Sequence, residues 1–399
     1  MWGWGNGESG ALGSAIVSEE CSGAALCSTR PVELAGLSGV KGVAGGEETD
    51  LAVMEDGTVE AWGSNESEQL GDGLTWEQQW QAEVPVVVTG IREAVAVAEG
   101  MVGAMALMKN GTVKAWGYNW EGALGIGRSV KSTDVPVTVK GLRGAIAIAT
   151  GGEQSLALRA NGTVMAWGSD ESGQLGLGEP LRSRYLPHQI KGLSGVVAIA
   201  AGLEHSLALL KNGTVKAWGS DEDGQVGGDG VEPSGLSCWQ RGSPWCAKSP
   251  VTVSGLSNVV AIAAGGYHSL ALLRDGTVMA WGDNYYGQLG AGEEETESFA
   301  PVPVVGIHEA VAIAAGEESS VALLADGKVL TWGSNNDGEL GYGSPVGPGP
   351  CAAEEDCSDV PIEVTGLDPG IERIGAGMWD DFAIAGGGTA QRSLGRRHP

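Results

Sequence analysis

The sequence predicts an all-β fold, a seven-bladed β-propeller of four-stranded antiparallel blades, and three repeated features carry that prediction. A Trp-Gly pair recurs at intervals of 51 to 63 residues, and a glycine stands nine positions after each of these tryptophans. An Asn-Gly or Asp-Gly pair precedes all but the first of them. The seven anchor tryptophans are Trp4, Trp62, Trp116, Trp167, Trp218, Trp281 and Trp332.

A second phrase precedes each anchor and predicts the two innermost strands. Its clearest copy, residues 200–209, is Ala-Ala-Gly-Leu-Glu-His-Ser-Leu-Ala-Leu. The two-residue turn between the phrases favours a tight hairpin, because type I′ turns need positive φ at both central residues. The glycine of the second phrase recurs at Gly46, Gly100, Gly151, Gly202, Gly265, Gly316 and Gly377.

One unit divides into four short strands, which we place at residues 250–253, 259–264, 269–273 and 277–281. Each contains β-branched, leucine or tryptophan residues and is bounded by glycine or Asp/Asn turns. The alanine-rich strand suits the narrow centre of a ring, and the tryptophan strand suits a position farther out. No segment keeps the apolar spacing of a long helix, which excludes a helical solenoid.

The two ends of the chain predict ring closure. Residues 1–5 align with the tryptophan strand alone, and residues 371–384 align with the two strands that precede it. Together they complete one shared blade without a free sheet edge. Residues 389–393 are an alternative source of the missing strand, although they lack the anchor that Trp4 carries. We therefore expect one propeller over residues 1–385 and a disordered tail or linker over residues 386–399.

Composition excludes several other classes of protein. Glycine supplies 68 of 399 residues without the three-residue period of collagen, and a hydrophobic share of 42% is enough for a packed core. The net charge of −27 argues against nucleic acid as a partner, because such a surface repels phosphates. No apolar run is long enough to span a bilayer, so we expect no membrane insertion.

The repeated phrases resemble the regulator of chromosome condensation repeat. The resemblance rests on Ala-Ala-Gly-x-x-His-Ser-Leu-Ala-Leu, Asp-Gly-Thr-Val and Trp-Gly-x-Asn-x-x-Gly-Gln-Leu-Gly, which recur in order over residues 1–385. It implies a seven-bladed propeller closed by both termini, here in a bacterial-type member. Functions in that family include nucleotide exchange on a small GTPase, protein-binding scaffolds and a secreted inhibitor of β-lactamase, so fold does not fix function.

Strand alternation predicts that the loops after the tryptophan strands share one face with the inner Gly-x-Glu-His loops. All variable insertions then lie on one rim, where loops commonly carry function. Exposed tryptophan and tyrosine are typical anchors of protein contacts, although such rings also pack locally to hold long loops. We expect a partner-binding site at Trp76, Trp80, Tyr118, Trp120, Trp239, Tyr285 and Tyr286.

The inner loops are also acidic, which indicates attraction of a basic partner or a cation, or only a solvated acidic surface. Because no calcium-binding loop accompanies the carboxylates, we expect neither a metal nor a cofactor. His205 and His268 fill equivalent repeat positions, which favours structural hydrogen bonding over catalysis, and we expect no enzyme activity. The acidic residues are Glu47, Glu48, Glu153, Glu204, Glu317, Glu318, Asp380 and Asp381.

Six cysteines form three local pairs, each within one insertion after an anchor. Their separations of 6 and 8 residues suit loop-closing disulfides, whereas zinc sites favour closer pairs with further ligands. Disulfides imply an oxidising compartment, so we expect the signal or an upstream region to lie outside this chain. Reduced thiols in a cytoplasmic protein are the alternative. The pairs are Cys21 with Cys27, Cys238 with Cys246, and Cys351 with Cys357.

Three Asn-Gly-Thr sequons begin at Asn110, Asn161 and Asn212, but the repeated hairpin turn alone accounts for these residues. The sequence as a whole favours a non-enzymatic protein-binding propeller that presents an aromatic and acidic loop face to a protein partner. We expect a monomer at the cell surface or outside the cell, acting as a scaffold, interaction or inhibitor module. The alternative is a guanine-nucleotide exchange factor for a small GTPase. A ring domain cut from a larger surface protein is a third interpretation.

Overall fold

A computed structural model of the chain describes residues 1–13, 19–23, 26–178, 180–228, 245–292, 295–349, 351–352 and 356–386. Within these ranges, 28 strands form seven four-stranded antiparallel sheets, which confirms the predicted seven-bladed propeller. The helical elements of the same ranges are two 3₁₀ turns, Glu8–Gly10 and Trp120–Gly122. No helix in the described part of the chain is long and apolar enough to cross a membrane.

The strands follow one another around the ring, beginning at the blade that both termini share. Blade 1 begins with β1 (Trp2–Asn6) and β2 (Cys27–Glu33). Blade 2 comprises β3 (Val40–Gly45), β4 (Thr49–Met54), β5 (Val59–Ser64) and β6 (Gln81–Val87). Blade 3 comprises β7 (Ala94–Glu99), β8 (Gly103–Met108), β9 (Val113–Tyr118) and β10 (Ser132–Thr138). Blade 4 comprises β11 (Ala145–Thr150), β12 (Gln154–Arg159), β13 (Val164–Gly168) and β14 (Arg184–Gln189).

The remaining blades repeat this order. Blade 5 comprises β15 (Val196–Ala201), β16 (His205–Leu210), β17 (Val215–Ser220) and β18 (Cys246–Thr252). Blade 6 comprises β19 (Val259–Ala264), β20 (His268–Leu273), β21 (Val278–Asp283) and β22 (Glu297–Pro303). Blade 7 comprises β23 (Ala310–Ala315), β24 (Ser319–Leu324), β25 (Val329–Ser334) and β26 (Cys357–Glu363). The last two strands, β27 (Ile371–Ala376) and β28 (Asp380–Ala385), return to complete blade 1.

Blade 1 closes the ring by pairing the two ends of the chain. Strand β1 lies between β2 and β28, with Trp2 opposite Ala383 and Gly3 opposite Phe382. The predicted closure by the N-terminal strand is therefore confirmed. Residues 389–393, the alternative source of this strand, lie outside the described residues, and so does the predicted tail beyond residue 386.

The four strands predicted as one unit prove to belong to two blades. The segment at 250–253 falls largely in β18, which pairs with β17 of blade 5, and the fourth strand of blade 6 is β22. The physical reason is that the chain returns after each insertion to pair with the tryptophan strand it has just left. Insertions of different lengths hide that pairing in the sequence.

The anchor tryptophans hold adjacent blades together. All seven are fully buried, and each indole N–H donates to a main-chain oxygen of the preceding blade at 2.7–2.9 Å. The glycine nine residues after an anchor lies against the next tryptophan: a Cβ on Gly176 would stand 2.8 Å from the ring of Trp218. Because Gly176 also has a φ of +64°, this position favours glycine on both counts.

The second glycine phrase brings seven inner loops together at the centre. A Cβ on Gly202 would lie 2.3 Å from the main-chain oxygen of Gly265 in the next blade. The neighbouring loops are also joined through the main chain, since the N–H of Leu203 donates to the oxygen of Gly266 at 3.1 Å. The ring encloses an axial cavity of about 270 Å³, lined by alanine and glycine residues together with Glu99 and Glu317.

Candidate protein-binding face

The antiparallel order places two kinds of loop on each face of the ring. We call the face that carries the insertions after the tryptophan strands and the inner loops the insertion face. The opposite face, which carries the Asn-Gly and Asp-Gly hairpins, is the turn face. A hydrogen bond of 2.9 Å from the Oγ of Ser172, in the insertion of blade 4, to the Oε2 of Glu204, in an inner loop of blade 5, shows that insertions and inner loops meet. The expected division of the loops between the two faces is confirmed.

Four of the predicted aromatic residues lie on neighbouring blades of the insertion face, and we call them the aromatic patch. Trp76 and Trp80 belong to the insertion of blade 2 and are 53% and 58% exposed. Tyr118 ends strand β9 and Trp120 lies at the start of the insertion of blade 3, and their rings stack with centroids 5.9 Å apart. Trp120 keeps 47% of its surface exposed, so stacking does not bury the pair.

The other predicted aromatic residues do not extend this patch. Tyr285 and Tyr286 lie on blade 6, in an edge-to-face pair with centroids 5.2 Å apart. Tyr285 is exposed and Tyr286 is half-buried. Trp239 lies outside the described residues. The sequence set thus divides into the aromatic patch and a separate tyrosine pair.

Asn65, which the sequence analysis missed, closes the loop that carries Trp76 and Trp80. It is fully buried, and its Oδ1 accepts from the N–H of Leu70 at 3.1 Å. Its Nδ2 donates to the main-chain oxygens of Leu74 at 3.1 Å and Gln79 at 2.8 Å. Its main-chain N–H donates to the oxygen of Trp80 at 2.7 Å. These four bonds fix both ends of the insertion and so limit the freedom of its tryptophans.

The same clamp recurs in other blades, and a signal for it was present in the sequence. Six of the seven anchors are followed three residues later by Asn or Asp. In blade 3, Asn119 accepts from the N–H of Leu124 and donates to the oxygens of Gly127 and Val130. The recurrent position is filled by Asn65, Asn119, Asp170, Asp221, Asn284 and Asn335.

Fewer carboxylates are accessible on the insertion face than the sequence predicts. Six of the eight predicted carboxylates are half-buried in the inner loops: Glu47, Glu48, Glu153, Glu204, Glu317 and Glu318. Burial raises the pKa of Glu47, and the negative charges of Glu48 and Glu317 raise it further. Asp380 and Asp381 are different, because they begin β28 and their side chains are buried. The expectation that these two belong to an accessible acidic ring was wrong, since strand β28 begins at them and turns them into the blade.

The two repeat histidines are structural. Both are fully buried, and the Nε2 of His205 lies 3.0 Å from the Oγ of Ser269 in the next blade. The Nε2 of His268 lies 2.8 Å from the Oγ of Ser320 in the same way. Burial lowers the pKa of His205 to about 3 and that of His268 to about 4, so both are neutral near pH 7. No group of His, Cys, Asp and Glu suited to a metal ion occurs among the described residues.

Disulfides close two of the insertions. Cys21 is bonded to Cys27 and Cys351 to Cys357, with Cα atoms 6.0 and 6.3 Å apart, which confirms two predicted pairs. Cys27 and Cys357 are the first residues of their outer strands, as is Cys246 of blade 5. Cys246 is also disulfide-bonded, and its predicted partner Cys238 lies outside the described residues. The second cysteine of each pair therefore ends an insertion where the outer strand begins.

The fold and this face define the class: a seven-bladed propeller of Trp-Gly repeats whose variable loops share one rim. Within that class, the chain belongs to the family described as "RCC1-like domain", whose sequence model matches residues 77–392. It is similar to the human E3 ubiquitin-protein ligase HERC2, with 32% identity over 86% of this chain but 7% of the ligase. It is also similar to the ultraviolet-B receptor UVR8 of Arabidopsis thaliana, with 30% identity over 75% of this chain and 64% of the receptor.

Among solved structures, Prp20p of Saccharomyces cerevisiae matches with a TM-score of 0.78 and 25% identity, over 96% of this chain and 90% of the yeast chain. That structure was described together with the binding of Prp20p to Gsp1p and histones. The chain spans less than two thirds of the length of both sequence relatives. All three similar proteins are eukaryotic, so the comparisons do not support the expected bacterial-type assignment.

Proposed function

We propose that this chain is a non-enzymatic, monomeric binding propeller that captures a protein partner on its insertion face. The aromatic patch is the main contact, in an exported interaction or inhibitor module. The observation that carries the proposal is that Trp76, Trp80 and Trp120 are about half exposed on loops fixed by side-chain hydrogen bonds. Exposed tryptophans leave apolar surface in contact with water. A partner that covers them removes this surface from water, which favours binding.

The fixed loops favour tight capture. A loop that is already ordered loses little conformational entropy when a partner binds, so more of the contact energy remains as affinity. The bonds of Asn65 and Asn119 supply that order for the two insertions of the aromatic patch. Tryptophan and tyrosine are also the side chains that most often dominate the energy of protein interfaces.

The charge of the insertion face favours a partner with a basic surface. The inner loops carry six half-buried glutamates, of which Glu317 lines the axial cavity, in a chain of net charge −27. Opposite charge on a partner accelerates encounter and orients it before the aromatic contacts form. We therefore expect capture to weaken as salt is raised, because exposed charges are screened.

Alanine variants of the aromatic patch test the proposal. The natural full chain and a Trp76→Ala, Trp80→Ala, Trp120→Ala variant are each immobilised. The proteins that each retains from an extract of the organism that produces the chain are then compared. We expect the variant to lose the partner. Val84→Ala, Val87→Ala is the matched control, because these exposed apolar side chains lie on the outer strand of blade 2, away from the insertion. Equal retention by the natural chain and the tryptophan variant would contradict the proposal.

The disulfides support export, because such bonds persist in oxidising compartments. Intact mass after thiol alkylation, with and without prior reduction, tests this part. We expect no alkylated cysteine before reduction and six after it. Six reactive thiols in protein isolated under native redox conditions would favour the cytoplasmic alternative.

A second candidate function is guanine-nucleotide exchange on a small GTPase. It is favoured by the similarity to Prp20p, a protein described as binding Gsp1p. A nucleotide-release assay with candidate GTPases separates the two functions. Accelerated nucleotide release would show that the protein is an exchange factor and not an inhibitor or interaction module. Unchanged release, with partner capture intact, supports the first proposal.

A further inference from the structure

Three hairpins of the turn face expose an asparagine whose amide nitrogen the fold does not use. Asn110, Asn161 and Asn212 are exposed at the equivalent turns of blades 3, 4 and 5. Each Oδ1 accepts the main-chain N–H of the threonine two residues later, at 3.0, 3.2 and 3.1 Å. None of the three Nδ2 atoms has a hydrogen-bond partner among the described residues.

The equivalent turns of blades 2, 6 and 7 show that the turn itself needs only an acceptor oxygen. There Asp56, Asp275 and Asp326 accept the same main-chain N–H at 2.9, 3.1 and 3.1 Å. A carboxylate therefore replaces the carboxamide without changing the turn. The turn does not need the amide nitrogen of Asn110, Asn161 or Asn212, so this atom is available for covalent modification.

We infer that Asn110, Asn161 and Asn212 are acceptors of N-linked glycans, an inference that rests on the export part of the proposed function. Each begins an Asn-Gly-Thr sequon, and the threonine hydroxyl donates to the asparagine Oδ1 at 2.7 Å in the turns of Asn110 and Asn161. The donor is an oligosaccharide linked to a polyprenyl diphosphate. The asparagine Nδ2 forms a bond to the anomeric carbon and loses one proton, while the bond from that carbon to the diphosphate oxygen breaks and the polyprenyl diphosphate leaves.

A fourth sequon provides an internal contrast. Asn65-Glu66-Ser67 has the same pattern, but Asn65 is fully buried. Both hydrogens of its Nδ2 are engaged, by the main-chain oxygens of Leu74 and Gln79. A sugar on this nitrogen would displace a hydrogen bond and needs space that a fully buried atom does not have. The folded protein therefore carries glycans at three sequons and not at Asn65.

The three glycans would lie on the face opposite the aromatic patch. The hairpins and the insertions lie at opposite ends of the tryptophan strands. A glycan on Asn110 therefore lies on the opposite face from Tyr118 and Trp120. Modification and partner capture are thus compatible. The glycans cover the turn face of three consecutive blades and leave that of blades 2, 6 and 7 uncovered.

Site-specific mass spectrometry tests the inference. The full chain is directed into the secretory pathway of a eukaryotic cell, and both the secreted and the cell-associated protein are treated with peptide-N-glycosidase F in heavy-oxygen water. This treatment converts each glycosylated asparagine into labelled aspartate, and a parallel sample without the enzyme measures the label that spontaneous deamidation of the Asn-Gly pairs introduces. We expect label at Asn110, Asn161 and Asn212 and none at Asn65. Absence of label at any of the three, or label at Asn65 in the secreted protein, would overturn the inference.

Single variants provide the control. Asn110→Asp, Asn161→Asp and Asn212→Asp each copy the natural turn of blade 2, so each should fold and lose one glycan from the intact mass. Partner capture by the aromatic patch is measured on the same samples. Glycosylated sequons in a protein that captures no partner would support this inference and count against the binding function. Partner capture by a protein without glycans would support the binding function and contradict this inference.

Discussion

The indole N–H of Trp4 donates to the main-chain oxygen of Glu339 at 2.7 Å and so joins blade 1 to blade 7 across 335 positions of sequence. At the equivalent point between blades 4 and 5, the oxygen of Gln174 accepts two donors, the indole of Trp218 at 2.9 Å and the Oγ of Ser206 at 3.0 Å. Asp381 replaces that serine in blade 1. The oxygen of Glu339 consequently has no second donor among the described residues.

We expect Trp4→Phe to destabilise the propeller more than Trp218→Phe does. Both changes remove an indole donor from a buried site, but Gln174 keeps the hydroxyl of Ser206, whereas the oxygen of Glu339 is left without a donor. An unsatisfied buried oxygen costs about 1–3 kcal/mol, so the difference between the variants should be about 1 kcal/mol or more. Urea unfolding measures it, and equal losses would contradict the assignment.

Asp381→Ser should stabilise the protein, and by more at higher pH. Both carboxylate oxygens of Asp381 are buried without a hydrogen-bond partner within the described residues. Burial, followed by the charges of Asp380 and Glu339, raises its pKa well above the usual value. Because the carboxyl of the unfolded chain ionises first, the natural chain loses stability as pH rises from the ordinary value of 3.8 to the raised pKa of the folded state.

A serine at position 381 removes that loss and supplies the second donor that the oxygen of Glu339 lacks, worth about 1 kcal/mol. The free energy of unfolding is measured from the ordinary carboxyl value of 3.8, where the loss begins, to mildly alkaline pH. We expect a shallower decline with rising pH in the variant. A variant that is less stable at every pH would show that the carboxyl makes a favourable contact.

His205→Gln should reduce the loss of unfolding free energy that accompanies a fall in pH below about 6.5. Burial, with the charge of His268, lowers the pKa of His205 to about 3, so its contribution is complete above the unfolded value of 6.5 and is lost as pH falls toward 3. One proton changes the free energy of unfolding by at most about 1.4 kcal/mol per pH unit. Glutamine is tolerated at this repeat position, where Gln154 donates to the oxygen of Gly202. His308→Gln, which removes an exposed histidine, is the control and should alter this pH dependence of stability less than His205→Gln does.

Asn65→Ala should weaken partner capture without altering any aromatic residue. The change removes three side-chain hydrogen bonds that hold the insertion of blade 2, and faster proteolysis within residues 65–80 should report the loosening. Asn335→Ala is the matched control, since Asn335 accepts from Leu340 and donates to Ser344 in blade 7. We expect similar losses of stability, about 1–3 kcal/mol, but weaker capture only for Asn65→Ala. Equal capture by both variants would argue against the aromatic patch.

The fold could be predicted because its requirements fall on single residue types at fixed spacing. A glycine is needed where Gly176 faces Trp218, and an Asp/Asn-Gly pair forms the turn-face hairpins of blades 2 to 7, so both recur in the sequence. The membership of the outer strands was not predictable in this way. Strand β18 pairs with β17 across an insertion, and a pairing that depends on the returning chain leaves no mark at a fixed interval.

The candidate site was predicted only in part, for a related reason. Exposed aromatic residues in insertions are visible in composition, and Trp76 and Trp80 are indeed exposed. The clamp at Asn65 was hidden because asparagine in a loop resembles an ordinary turn residue until its buried partners are known. Asp381 was misplaced because a carboxylate usually lies at the surface, and only the pairing of β28 with β1 reveals that it is enclosed.

The pairing of β1 with β28 also has a consequence for the order of folding. Blades 2 to 7 form from contacts between neighbouring hairpins, which close short loops and are kinetically favoured. Blade 1 must wait until both ends of the chain meet, so we expect its assembly to follow that of the other blades. Burial raises the pKa values of Asp380 and Asp381 in the completed blade, so we expect closure of the ring to be more favourable in mild acid than in alkali.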